Sequence, residues 1–373
     1  MLVFGTRPEA IKMAPLLKEL EQSKCFEVVT CVTAQHRHLL DQVLEIFDII
    51  PDIDLNLMSK NQDLFDITSK VLIEMKRVLS EHKPDLVLVH GDTTTAMVSA
   101  LASFYMNIHV GHVEAGLRTH NIRSPFPEEV NRQIISKLAR WHFAPTIKNK
   151  SDLISERIGE DNILVTGNTV IDAMRLNFRN TASSEKINQI NEFISQELPF
   201  DWQTEDYILV TCHRRENLGK SFEEILSSIK ILATKFPNMA FVYPVHPNPK
   251  VKALAYNLLK EIKNVYLISP MSYQPFCVLM ANCYIVMSDS GGIQEEAPSL
   301  GKPVLVLRDD TERPEAVEAG TAKLVGSSKE TIVASVSDLI MNKVSYMSMS
   351  EAKNPFGNGT ASKKITRFLK ERL

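Results

Sequence analysis

Ser288-Asp289-Ser290-Gly291-Gly292 follows a run of strand formers at 283–287 and leads into residues 293–300, which have helical character and end on Gly301. Small residues at 290 to 292 let an anion approach the backbone, and the open amides of a helix start favour negative charge. Ser290, Gly291 and Gly292 therefore read as a phosphate-binding turn. Glu296 lies about one helical turn further on, beyond the phosphates, where a carboxylate can accept hydrogen bonds from sugar hydroxyls. Read alone, the stretch also fits an ordinary strand-to-helix turn with a solvated glutamate.

A second set is acidic. Asp92, Glu114 and Glu128 fall at or just beyond predicted strand ends of the first half. Singly, each has a plain role open to it: Asp92 as cap of a helix beginning at Thr93, Glu128 and Glu129 as complements to a helix N-terminus. Together, opposite a phosphate site, they suit acid/base work on a sugar whose proton must move as a phosphate departs. Arg7 and Lys12, about one turn apart at the first helix start, are cations able to face that anion; solvated surface cations are the alternative. His213, with Arg214 and Arg215, adds positive charge at another strand end.

Some chemistry is excluded. No GxGxxG follows the first strand, where Gly5-Thr6-Arg7-Pro8 puts a cation instead, so a nicotinamide cofactor is not implied. His36, His38, His90 and His112 form no HExxH-type arrangement, and no metal site is expected.

The elements that must position these residues alternate along the chain. Short β-branched runs end on polar residues and give way to helical patterns, as βαβ units of a parallel sheet do. In the first half the strands are predicted at 2–4, 28–32, 86–89, 109–113 and 163–165, the last ending on Thr166-Gly167-Asn168. A polar stretch follows Asp172, read as peripheral helices. A second series then has strands at 207–211, 240–243, 265–268, 283–287 and 303–307, with Arg313 just beyond the last. The predicted fold is α/β, two Rossmann-like doubly wound domains facing a cleft. Residues 1–172 form the first domain, residues 173–355 the second, and a C-terminal helix within 356–373 returns to the first.

At 373 residues, with 44% apolar and 23% charged residues, the chain has the length and composition of two ordinary globular domains. A net charge of −3 without a basic block argues against a nucleic-acid partner. Five cysteines without CxxC spacing read as reduced residues of a cytoplasmic protein. The chain opens on Leu2-Val3-Phe4, and neither a signal peptide nor a membrane span is predicted. So short a first strand leads us to expect a native start a residue or two earlier.

Gly5-Thr6-Arg7-Pro8-Glu9-Ala10-Ile11-Lys12, His90 to Thr95, His112 to Arg118, His213-Arg214-Arg215-Glu216 and Ser288 to Gly301 resemble, in order and spacing, the bacterial non-hydrolysing UDP-N-acetylglucosamine 2-epimerases. The resemblance spans essentially the whole chain. It implies a glycosyltransferase-B-like fold and interconversion of UDP-N-acetylglucosamine (UDP-GlcNAc) and UDP-N-acetylmannosamine (UDP-ManNAc), with UDP as a further ligand, for surface polysaccharide supply. A homodimer is implied, without cofactor. The implied roles are Arg7 and Lys12 as substrate contacts, Asp92, Glu114 and Glu128 as acid/base groups, and His213 near the diphosphate. Phe276 would lie beside the uracil, Ser290 to Gly292 on the phosphates, Glu296 on the ribose and Arg313 at the diphosphate. Gln35, His38, Asn61, Arg214 and His246 match a second, activating UDP-GlcNAc site, although His38 and Asn61 stand where some relatives have Gln and Arg. Met271 replaces a Gln of several relatives, and a thioether cannot donate a hydrogen bond.

Overall fold

A computed structural model of the chain describes residues 1–34, 37–57, 62–214 and 219–373, with side chains except at 38 and 184. Gln35 and Asn61, and the side chain of His38, lie outside the described residues, as do Arg215 and Glu216. The chain divides into two compact units: Met1–Asn177 with Phe356–Leu373, and Phe178–Pro355.

The sheet of the first unit is parallel, with the strands β1 (Leu2–Phe4), β2 (Thr30–Val32), β3 (Ile53–Asp54), β4 (Leu86–His90), β5 (His109–Val113), β6 (Trp141–Ala144) and β7 (Ile163–Val165). Their spatial order is β3-β2-β1-β4-β5-β6-β7. The second unit has β8 (Tyr207–Thr211), β9 (Ala240–Pro244), β10 (Val265–Ile268), β11 (Ile285–Ser288), β12 (Val304–Val306) and β13 (Ala322–Leu324), ordered β10-β9-β8-β11-β12-β13 and again parallel. Central strands such as β4 and β8 are buried along their whole length, which is why they read as continuous apolar runs rather than alternating ones. In each sheet the order reverses once, between β1 and β4 and between β8 and β11. Such switch points open a crevice at the strands' carboxyl ends.

Three strands go beyond the sequence reading. β3 is two residues long, β13 is Ala322-Lys323-Leu324 with an exposed middle, and β6 is Trp141-His142-Phe143-Ala144, whose aromatic and polar residues hide its burial. The expected helix over 293–300 is one α turn, Ile293–Glu296, continued as a 3-10 turn over Ala297–Leu300 and ended by Gly301 at φ +67°.

The chain passes between units inside the helix Thr169–Thr181, so Asp172 lies in the first unit. There it accepts hydrogen bonds from the Ala361 and Ser362 amides at 3.1 and 2.9 Å, fixing the start of the last helix, Ala361–Arg372. Phe368 of that helix packs edge-on against Trp141 and Phe143, with centroids 6.0 and 5.7 Å apart.

Candidate active site

The loops flanking the first switch point are tied together by Glu9, a buried residue in the first turn of the helix Arg7–Ser23. Its Oε2 accepts from the Gly5 and Thr6 amides (3.1 and 2.8 Å) and from Thr6 Oγ1 (2.8 Å). Its Oε1 accepts from Thr93 Oγ1 at 2.6 Å, so one carboxylate joins the loop after β1 to the loop after β4. Burial raises the proton affinity of Glu9, and these four donors oppose that rise. The pattern Thr6-x-x-Glu9 is a capping box, the local signal for half of this arrangement. Arg7, half-buried at the start of the same helix, makes no ion pair among the described residues.

Asp92 does not cap the helix Thr94–Tyr105; Thr93 does, accepting from the Ala96 amide at 3.0 Å. Asp92 Oδ2 is instead gripped by Arg132, from Nε at 2.8 Å and Nη2 at 2.6 Å. Burial pushes the proton affinity of Asp92 up, Arg132 pulls it down, and the nearby charge of Glu114 adds to the rise. Arg132 is also within 3.4 Å of Glu129, which is fully buried and further bonded by the Thr119 amide and Gln133. Its neighbour Glu128, the first residue of the helix Glu128–Leu138, has a buried Oε2 with no hydrogen-bond partner among the described residues. Of the two acids, Glu129 is the one tied to neighbouring loops and helix.

Glu114, just past β5, sits at φ +63°, a left-handed conformation that a residue with a side chain rarely adopts. Its Oε2 accepts from Lys12 Nζ and from Asn168 Nδ2, the latter at 2.7 Å, and His90 Nε2 lies 3.7 Å away. Lys12 is thus paired with a carboxylate of its own unit. Burial lowers the pKa of His90 to about 4, so the imidazole is neutral near pH 7.

In the second unit the corresponding tie is Asp289, fully buried after β11. Its Oδ2 accepts from the amides of His213 (2.9 Å) and Arg214 (2.8 Å) in the loop after β8. The Ser290 amide is taken by Ser288 Oγ at 3.0 Å, while the amides of Gly291 and Gly292 meet no protein acceptor among the described residues. A Cβ built on Gly291 would lie 3.9 Å from the guanidinium groups of both Arg214 and Arg313. The single α turn after Gly292 aligns few peptide dipoles, so attraction for an anion rests chiefly on these amides and arginines. Arg214, matched by resemblance to a second site, is therefore also a neighbour of the turn at 290–292. His246, matched in the same way, stacks on the partly exposed His213 ring, with centroids 5.0 Å apart and planes 5° from parallel.

Arg313 is buried and ion-paired with Glu295, which the sequence reading passed over. Glu296 Oε1 accepts from Tyr273 OH at 2.9 Å, and Tyr273 lies on the helix Tyr273–Asn282, which also carries the half-buried Phe276. Burial raises the Tyr273 pKa well above its ordinary value, and the Cys277 and Glu296 charges add to the rise, so the phenol stays a donor. The residues matched to ribose and uracil thus belong to one neighbourhood.

A sequence profile described as UDP-N-acetylglucosamine 2-epimerase matches residues 18–370. The chain belongs to this family. A UDP-N-acetylglucosamine 2-epimerase of Campylobacter jejuni is 53% identical over 99% of this chain and 96% of its own length. The crystal structure of UDP-GlcNAc 2-epimerase from Neisseria meningitidis bound to UDP-GlcNAc superposes with a TM-score of 0.92 at 51% identity, covering 99% of each chain. The glycotransferase of kitacinnamycin, at 12% identity and a TM-score of 0.66 over 100% of this chain and 98% of that one, shares the fold. This epimerase-family chain thus has the glycosyltransferase-B-like class of two parallel α/β domains. Among its described residues no helix is long and apolar enough to cross a membrane, and no group of three or more His, Cys, Asp or Glu is placed to hold a metal. Its cysteines are free thiols, with Cys25 exposed and the rest buried.

Proposed function

We propose that the chain interconverts UDP-GlcNAc and UDP-ManNAc without hydrolysis, by eliminating UDP and adding it back. The C2 proton of the bound sugar is not beside a carbonyl and is not acidic at rest. As the C1–O bond to UDP breaks, cationic character at C1 acidifies it. A carboxylate takes the proton, the C2–H electron pair forms the C1=C2 bond of 2-acetamidoglucal, and UDP carries away the bonding pair of the broken C1–O bond. Re-addition of UDP with a proton delivered to the opposite face inverts C2. Asp92, Glu114 and Glu128 carry the proton transfers. Arg7, His213, Arg313 and the amides of Gly291 and Gly292 stabilise the departing diphosphate; Lys12 supports Glu114; Glu296 takes the ribose and Phe276 the uracil. UDP, UDP-GlcNAc and UDP-ManNAc are the ligands of a cytoplasmic homodimer that supplies surface polysaccharide synthesis.

The observation that carries this reading is the acid set of the first unit: Glu128 Oε2 has no hydrogen-bond partner among the described residues, whereas Glu129 beside it is engaged by Thr119 and Gln133. A UDP-sugar sensor would not require three carboxylates near an anionic ligand. Hydrolysing epimerases and glycosyltransferases of this fold remain the rivals, because fold alone does not fix the reaction. Incubation with UDP-GlcNAc alone separates them: UDP-ManNAc supports the proposal, free ManNAc with UDP means hydrolysis, and no change means a transferase or a sensor.

A further inference from the structure

The turn after β7 has no part in the roles above, yet it is held from several sides. Gly167 adopts φ +89°, and a Cβ there would come within 2.8 Å of the Phe356 carbonyl oxygen. The Asn168 amide donates to that same oxygen at 2.8 Å, pinning the turn against the returning C-terminal segment. The Asn168 side chain is buried, and its Oδ1 accepts from the Val170 amide at 3.0 Å. With its oxygen so engaged, the carboxamide turns Nδ2 towards Glu114 Oε2, 2.7 Å away. That nitrogen can only donate, and a donor at a carboxylate favours its ionised form.

We propose that Asn168 is the positioning residue for Glu114, setting the orientation of its carboxylate and holding it ionised for proton transfer. The inference rests on the reading of Glu114 as a proton-transfer group. Glu114 is faced by Lys12 from the first helix, His90 from β4 and Asp92 from the following loop. Lys12 and Asn168 favour the charged carboxylate, Asp92 opposes it, and His90, buried and neutral, adds no charge. Asn168 is itself oriented by backbone groups, the Val170 amide and the Phe356 carbonyl.

The test uses Asn168→Asp, which replaces the donor with a like charge of the same shape, and Asn168→Ser, which withdraws it. Both should lower kcat about 10- to 100-fold, the worth of one charge-assisted hydrogen bond, with little change in KM or UDP affinity. The limb of the kcat/KM pH profile that disappears in Glu114→Gln should move to higher pH, further for Asp than for Ser. In a Glu114→Gln background Asn168→Ser should add little further loss. A limb that stays in place in both variants, or fully additive losses, overturns the proposal. Should Asn168→Asp fail to fold, as judged by melting, Asn168→Ser carries the same readouts. If the wild-type protein exchanges no C2 hydrogen at all, the proton-transfer reading fails instead. The carboxyl ¹³C titration of Glu114 then still reads Asn168: an upward midpoint in the variants keeps the positioning role, and an unmoved one ends it.

Discussion

Glu128 and Glu129 are adjacent acids with opposite fates. Glu129 is buried under donors from Thr119, Arg132 and Gln133, while Glu128 has an oxygen without a hydrogen-bond partner among the described residues. Asp92→Asn, Glu114→Gln and Glu128→Gln should each lower kcat by about 10² to 10⁴, as loss of a general acid or base does. UDP affinity, measured by calorimetry, should change far less, because UDP is read as held chiefly by the second unit. Near-normal turnover in all three variants would show that the acids are misassigned. Ser290→Leu and Arg313→Ala should do the reverse, weakening UDP binding about tenfold or more. Arg313→Ala also removes an ion-pair partner of the fully buried Glu295 and should lower stability, visible in urea denaturation.

At the scale of elements, strand-end residues were legible because parallel strands announce themselves by burial, and their last residues then fall at the switch points. Gly5, Asp92, His213 and Ser290 were all readable in this way. Side-chain partnerships between loops were not. Arg132 and Asp92 are 40 residues apart, Asn168 and Glu114 are 54 apart, and nothing local in either segment records the pairing. β6 was missed for another physical reason: His142 is almost wholly buried within it, and a polar residue masks an apolar run.

That burial has a consequence for acid stability. His90 on β4, His112 on β5 and His142 on β6 have pKa values lowered to about 4, 3 and 4, in each case chiefly by burial. The unfolded chain takes up these protons near pH 6.5, and the folded chain does so only near the lowered values. Stability from the neutral imidazoles is therefore fully present above about pH 6.5 and is lost as pH falls towards 4. Each histidine contributes at most about 1.4 kcal/mol per pH unit. Urea midpoints between pH 7 and 4.5 should fall steadily, and His142→Phe should flatten the slope; a midpoint independent of pH would contradict the burial of these rings as neutral groups.

For the whole molecule, a second UDP-GlcNAc site is expected to couple to turnover. Arg214 lies near Gly291 and His246 stacks on His213, and these two, like Gln35, His38 and Asn61, are matched to that site by resemblance alone. With Asn61 in place of an arginine, a bidentate cation is absent and activation should be weak. Starting from UDP-ManNAc, turnover should show a lag that a trace of UDP-GlcNAc abolishes; hyperbolic kinetics from either sugar without a lag would mean that the site is lost.

The central claim is proton transfer at C2 with UDP eliminated, and turnover of UDP-GlcNAc in D2O tests it most directly. With mass and proton spectra of both sugars, the account predicts UDP-ManNAc and recovered UDP-GlcNAc carrying deuterium at C2, without added nicotinamide or metal. UDP-ManNAc that keeps its original C2 hydrogen through many turnovers would contradict it.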